Sequence, residues 1–178
     1  MTGPALTIRD ARPGDAADIQ RIYAQHVLTG TASFEEIPPS VDDMAERMAA
    51  VFDLGAPYLV GEIGGTVQGY AYAGPFRPRV AYRYTVENSI YVDPAATGQG
   101  LGTRLLSALI ERCEAAGFRQ MIAVIGGSDN TASITLHTRL GFTHMGTLNA
   151  TGLKFGGWVD TVLMQRALGP GDETLPEG

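Results

Sequence analysis

The chain has 178 residues, 44% of them hydrophobic and 18% charged, with a formal net charge of −6 and a sequence pI of about 5.0. This length suffices for one domain with a sizeable core, and this charge argues against nucleic acid or an anionic membrane as the main partner, because both demand a basic face. A single cysteine, Cys113, excludes an internal disulfide and suits a reducing cytoplasm.

The opening MTGPALTIRD lacks the charged-then-apolar layout of a signal peptide, and no later apolar run approaches the ~20 residues of a membrane span. Within it, ALTIRDA alternates as a first strand. Asp15 is placed to cap a helix over residues 16–28, with Ile19, Ile22, Tyr23 and Val27 on its apolar face. TGTASFEEIPP reads as a loop, and Ser40 starts a second helix that ends near Gly55. PYLVGEI, a GG turn and TVQGYAYAGPF form a hairpin. RPRVAYRYT is an irregular basic and aromatic loop, followed by the strand ENSIYV. A third helix carries Leu101, Leu105, Leu106, Leu109 and Ile110 as its stripe and stops at Gly117. RQMIAVIG is the next strand, and GSDN leads into a fourth helix over residues 131–140, closed by Gly141. FTHMGTLNATGL and WVDTVLMQRAL are the closing strands. The order β-α-α-β-β-β-α-β-α-β-β intersperses helices with hairpins and predicts an α+β fold on a mixed sheet. Residues 1–168 read as a single domain, and 169–178, GPGDETLPEG, as a disordered tail with little to bury.

Gly98, Gly100 and Gly102 alternate between the strand IYV and the third helix. Glycine is a poor helix former, so three at a helix start need a reason. A P-loop is excluded, because Leu101 and not lysine follows Gly100. A dinucleotide fingerprint would need a glycine at position 103, which is Thr103, and a place after the first strand. Packing alone explains any one of these glycines. For three at alternate positions, a nest of backbone N–H groups that cradles an anion is the better reading.

Residues 97–102 resemble the Gln/Arg-x-x-Gly-x-Gly/Ala pattern of the GCN5-related N-acetyltransferases, with Thr97 where Gln or Arg is usual. NTASITLHTRLGF, residues 130–142, is similar to that family's Asn-x-x-Ala/Ser-x-x-x-Tyr/His-x-x-x-Gly-Phe helix. The spacing itself puts Asn130, Ser133 and His137 on one helical face. A narrower resemblance, to phosphinothricin and methionine sulfoximine N-acetyltransferases, rests on AYAGPFRPRVAYRYTVENSIYVDP, AVIG and GLKFGGWVDTVLMQ. The resemblance implies a three-layer αβα GNAT fold, with a mixed, mostly antiparallel sheet flanked by about four helices. It implies acetyl-CoA as co-substrate, held by Gly98, Gln99, Gly100, Leu101, Gly102, Thr103 and Asn130, with no metal. It also implies a homodimer.

Forming an amide from a thioester requires a base for the amine proton, donors for the developing oxyanion and a stabilised leaving thiolate. Glu87, on the strand that runs into the glycine turn, is the expected base and falls where the resembling enzymes carry theirs. Ile90, Tyr91 and Val92 offer backbone groups to the pantetheine arm. His137 is an expected acid, base or substrate orienter. Arg77 and Arg79 flank a proline and suit carboxylate or phosphinate oxygens, which favours an amino-acid-like substrate. In the resembling enzymes this loop and the segment Glu87, Asn88 and Ser89 touch substrate, and Phe34 and Tyr82 would add an apolar wall. Lys154 and Trp158 either close the site or belong to packing or a dimer surface. Cys113, His26 and His144 read as structural, and no histidine pair has metal-ligand spacing. The expected activity is acetyl transfer to the α-amine of phosphinothricin, methionine sulfoximine or methionine sulfone. The alternatives are transfer to another small amine or a protein N-terminus, or a CoA-binding sensor without turnover.

Overall fold

The computed structural model describes residues 5–176. Strand β1 (Leu6–Asp10) leads into α1 (Ala16–Thr29) and α2 (Val41–Asp53). Then come β2 (Tyr58–Ile63), β3 (Thr66–Pro75), β4 (Thr85–Val92), α3 (Leu101–Ala115), β5 (Gln120–Gly126), α4 (Thr131–Arg139), β6 (Thr143–Lys154) and β7 (Gly157–Ala167). The expected element order is realised. Ser40 begins α2 through a capping box, its hydroxyl accepting from the Asp43 N–H at 3.1 Å while the Asp43 carboxylate takes the Ser40 N–H at 2.9 Å.

Asp15 does not cap α1. It lies in a 3-10 turn, Pro13–Asp15, and its carboxylate receives two bonds from the Arg9 guanidinium, each 2.8 Å, and one from the Arg12 N–H at 2.7 Å. A bidentate partner one strand away outcompetes the local N-terminal amides. Arg9 holds the Asp15 carboxyl below its ordinary pKa, and it also pairs with Glu62 of β2.

The seven strands form one sheet in the order β1-β2-β3-β4-β5-β7-β6. Every neighbouring pair is antiparallel except β4 and β5. Period-two alternation divides the side chains between two layers. Tyr58, Val60, Val67 and Tyr70 pack against Ile19, Ile22 and Val27 of α1 and Met44, Met48 and Val51 of α2. Leu59, Ala71, Val86, Met121 and Ile125 pack on the opposite face against the α3 leucines and Phe142, with Ile134 and Leu136 of α4 alongside. The result is an αβα sandwich on a mixed, mostly antiparallel sheet.

Residues 169–176 depart from the expectation of a disordered tail. They turn back along the sheet base, where Arg119 donates to the carbonyls of Gly171 and Thr174 at 3.1 and 3.2 Å, and Leu168 is fully buried. Those bonds use backbone acceptors, which composition does not register. Residues 177–178 of that segment lie outside the described residues. No helix among the described residues is long and apolar enough to cross a membrane.

Candidate active site

β4 and β5 pair only from Thr85↔Gln120 to Asn88↔Ala123. Beyond that point they splay, and the edge of β4 that faces β5 is left unpaired over residues 89–92. The opening is a cleft of about 150 Å³, continuous with solvent, lined by β4, the end of β5, Ala32 of the α1–α2 loop, Asn130 at the start of α4, and Ser133 and His137 of α4. Parallel strands joined by a helix make this possible, because no tight turn forces them to stay in register.

Alternation along β4 divides the expected site residues between the two faces of the sheet. Glu87, Ser89 and Tyr91 face the α1–α2 layer, where the Tyr91 ring meets Tyr23 edge-on at 5.1 Å. Asn88, Ile90 and Val92 face the α3–α4 layer. Glu87 is half-buried in the cleft, and its backbone is paired with Gly74 of β3. Burial pushes its carboxyl pKa up, and the positive charge of Arg77 opposes that rise. A carboxylate that has lost much of its water and is tuned toward neutrality is suited to proton transfer.

His137 is deeply buried, 2% exposed, and both ring nitrogens are engaged. Nδ1 donates to the Ser133 carbonyl at 2.8 Å, which leaves Nε2 as the acceptor of the Asn88 amide at 2.9 Å. That defines the neutral Nδ1–H tautomer. Burial lowers the His137 pKa, and the Ser133 bond partly offsets it. His137, the expected acid, base or substrate orienter, is therefore a neutral ring bonded to Ser133 and to Asn88 of β4 at the cleft wall. Asn88, expected to touch substrate, points away from Glu87 and holds that ring. Its Oδ1 is buried without a partner.

The glycine turn has the geometry of a cradle. Gly98 and Gly100 adopt φ of 78° and 79°, and a Cβ on either would meet nothing within 4 Å. Gly100 is the N-cap of α3, so the first N–H groups of that helix, from Leu101, Gly102 and Thr103, have no intrahelical acceptor, and Gln99, Gly100 and Thr103 around them are exposed while Leu101 is buried. A diphosphate fits such a set of amides. Thr97, at the position that departs from the family pattern, spends its hydroxyl on the Pro94 carbonyl at 2.9 Å. Of the β4 backbone groups expected to meet pantetheine, the Val92 carbonyl already accepts from His26 Nε2 at 2.8 Å, which gives that histidine its structural role. Asn130 caps α4 through the Ser133 N–H at 3.2 Å, and it lines the cleft from that position.

Arg77, Arg79 and Tyr82 do not line the cleft. They rim a second, mostly apolar cavity with Leu54, Val80 and Phe118, one residue along β4 from Glu87. Arg77 stacks on Phe76 with its guanidinium carbon 5.1 Å from the ring centroid. Phe34 is also outside the cleft. Its ring lies against Gly152 of β6, where a Cβ would approach within 2.6 Å. Ala32 takes the wall position expected of Phe34, and an alanine in a loop carries no chemical signal that sequence reading could detect. Lys154 is buried and Trp158 is 72% exposed. Cys113 is fully buried, which pushes its thiol pKa up to about 12. Among the described residues no three His, Cys, Asp or Glu side chains gather closely enough to hold a metal ion.

A splayed parallel strand pair with a glycine turn at one end and a half-buried carboxylate at the other is an arrangement suited to an acyl-CoA. The chain belongs to the acetyltransferase (GNAT) family, whose pattern it matches over residues 20–142, and it is an N-acetyltransferase. It is 56% identical over 173 residues to the phosphinothricin N-acetyltransferase of Alcaligenes faecalis, covering 97% of this chain and 88% of that one. It is 43% identical over 163 residues to an L-methionine sulfoximine/L-methionine sulfone acetyltransferase of Salmonella typhimurium, covering 92% and 95%. The fold superposes with a TM-score of 0.94 on a phosphinothricin acetyltransferase of Sinorhizobium meliloti in complex with acetyl-CoA, at 51% identity over 97% of this chain and 93% of that one.

Proposed function

We propose that this N-acetyltransferase uses acetyl-CoA to acetylate the α-amine of a small amino acid analogue: phosphinothricin, methionine sulfoximine or methionine sulfone. The observation that carries the reading is the placement of Glu87. It lies in the cleft on the strand that ends at the glycine cradle, with Arg77 near enough to bias its charge. Acetyl-CoA supplies the activated acyl group. Residues 98–103 hold its diphosphate through backbone N–H groups, and the open edge of β4 aligns its arm. Glu87 accepts the proton of the attacking amine, directly or through a water, as the new C–N bond replaces the thioester C–S bond, and CoA leaves as a thiolate that takes up a proton to become the free thiol. Asn88 and His137 fix the far wall of the cleft at the splay. Arg77 and Arg79 draw the anionic end of the acceptor toward the α1–α2 side, where Glu87 points. Thiol release measured over a panel of amino acids tests the proposal. The expected result is release dependent on these three analogues. Release that is independent of any amino acid, or that occurs only with polyamines or peptides, defeats it.

The arginines do different work in this scheme. Arg77→Ala and Arg79→Ala should each lower kcat/KM for the acceptor by about 10- to 150-fold, mainly through KM, the loss expected for one charge-assisted hydrogen bond. Only Arg77→Ala should also move the acid limb of the pH–rate profile. Its charge lowers the Glu87 pKa, so its removal lets that pKa rise and shifts the limb to higher pH. A limb that stays in place in Arg77→Ala separates the two groups.

We further propose a cytoplasmic homodimer. Val162 and Met164, two of the apolar residues of the closing strands, are core. Leu153, Phe155 and Trp158 instead lie 59%, 63% and 72% exposed around the β6–β7 turn, an apolar surface suited to a second copy. Sedimentation at micromolar concentration should give twice the 18.9 kDa chain mass. A monomer alone at that concentration overturns the dimer.

A further inference from the structure

The turn that joins β6 to β7 carries the stretch GLKFGGWVD, and none of it lines the cleft. It nevertheless holds the only lysine in the sequence, in a chain that uses arginine everywhere else for positive charge. Lys154 is 3% exposed. Its ammonium donates to the Gly30 carbonyl at 2.8 Å and the Ser33 carbonyl at 2.5 Å, more than 120 residues away along the chain. Both acceptors belong to the loop between α1 and α2. A compact ammonium with three rotatable donors suits two converging carbonyls, whereas a planar guanidinium fork does not. Burial lowers the Lys154 pKa, and Glu36 and Glu35 of the same loop oppose that and favour the charged form.

The same loop is fixed at three further points. At Gly126, the end of β5, a Cβ would lie 2.0 Å from the Thr31 carbonyl, so the loop backbone rests directly on the strand. The Phe34 ring rests on Gly152 in the same way, with 2.6 Å to a would-be Cβ. Tyr23 of α1 bonds the Ser33 hydroxyl at 2.8 Å and Glu35 at 2.9 Å, and Arg47 of α2 holds Glu35 at 2.6 Å. Between these anchors Ala32 forms part of the cleft wall.

We propose that Lys154 is a positioning residue for the acceptor: it braces the α1–α2 loop from the β6–β7 turn, and so sets the wall against which the amino acid is held. This rests on the acetyltransferase reading above. The brace lies on the α1–α2 side of the sheet, away from the glycine cradle at the start of α3. Its effect therefore falls on the cleft wall beside Glu87, where the acceptor is held, and leaves the diphosphate cradle that anchors acetyl-CoA untouched.

Lys154→Met keeps the apolar stem and removes the donors. Hydrogen exchange of the amides over residues 30–35 should speed by at least about tenfold, with β4 unchanged. The acceptor KM should rise about 10- to 100-fold, the scale of a lost charged hydrogen bond, with acetyl-CoA KM within about twofold of the parent. Gly152→Ala pushes the Phe34 ring off its seat without touching Lys154, and it should move the same quantities in the same direction. Because the sequence has one lysine, 13C labelling at its ε-carbon gives one side-chain signal in the unmutated protein. Saturating methionine sulfone should shift that signal.

Unchanged exchange over 30–35, an unchanged acceptor KM, an acetyl-CoA KM that rises in parallel, or a lysine signal blind to the acceptor each overturns the inference. If Lys154→Met does not fold, Gly152→Ala and the lysine signal decide it. A parent protein without acceptor-dependent thiol release overturns the functional reading and this inference together. An active parent beside an indifferent variant overturns the inference alone.

Discussion

Replacing Glu87 with Gln is expected to lower kcat by ~10²–10⁴-fold, the range that a positioned general base supplies, with little change in acetyl-CoA KM. Glutamine keeps the size and the strand register but cannot take a proton. The pH profile gives a second, independent signature. Burial holds the Glu87 carboxyl above its ordinary pKa, with Arg77 working against the rise. The base must be ionised to act, so kcat/KM is full above the raised pKa and falls as pH drops through it. The acid limb should therefore lie above the ordinary carboxylate range and vanish in the Gln variant. Thiol release followed across pH for both proteins measures it. A Gln variant with the parent's rate and the parent's acid limb assigns the proton transfer to another group.

Gly100→Val should weaken acetyl-CoA binding by roughly 10- to 150-fold, equivalent to losing one charge-assisted hydrogen bond to the diphosphate. Two effects combine in it. Gly100 has φ of 79°, a left-handed conformation that costs an ordinary L-residue roughly 1–2 kcal/mol and suits a β-branched one even less. The added side chain also projects from the cradle. Gly100→Asn separates the two, because asparagine tolerates the left-handed backbone and still places a side chain there. Calorimetric titration with acetyl-CoA should show both variants weakened, with thermal stability kept in Asn and reduced in Val. A folded Asn variant with the parent's affinity removes the cradle. Gly102 is the wrong residue for this test. Its would-be Cβ points to Leu136 and Val92 at 3.6 and 3.7 Å, ordinary contact distances, so a side chain there faces the helix packing and not the cradle.

The elements were legible because their signals are local. Ser40 announces α2, the α3 leucines recur at helical spacing, and the GG turn folds its hairpin. The left-handed turn at Gly98 and Gly100 was legible for the same reason, since alternate glycines at a helix start constrain the backbone directly. The pairings across the sheet were not. Asn88 and His137 lie 49 residues apart, and only the register of β4 against β5 shows that Asn88 turns to α4 while Glu87 turns to α1. Spacing could put His137 on a face with Asn130 but could not reveal that both its nitrogens are taken. Asp15 was misread because a cap is a local inference and its true partner, Arg9, lies on the preceding strand. Lys154 was ambiguous because its acceptors are backbone carbonyls, which any sequence possesses. The arginine loop was read as part of the site from its guanidinium chemistry and from the family resemblance. Its placement at a neighbouring cavity depends on the path of an irregular loop, which no periodicity encodes.

The sheet order has a consequence for how the protein is made. β5 has two neighbours, β4 through four residue pairs and β7 through seven. The larger share of its support is thus the last strand of the fold, and β6 must wait for that same strand to join the sheet. During synthesis, β1 to β4 can assemble with their helices while β5 has only its short parallel contact, which needs a long loop closed before it is rewarded. The cleft depends on β5 standing apart from β4 at one end and held firmly at the other. A ribosome-bound chain that has not yet released Gly157–Ala167 should therefore be folded over its first half and inactive. Enzymatic competence arrives as a late, single event, when β7 slides between β5 and β6 and gives the splay its rigid far bank.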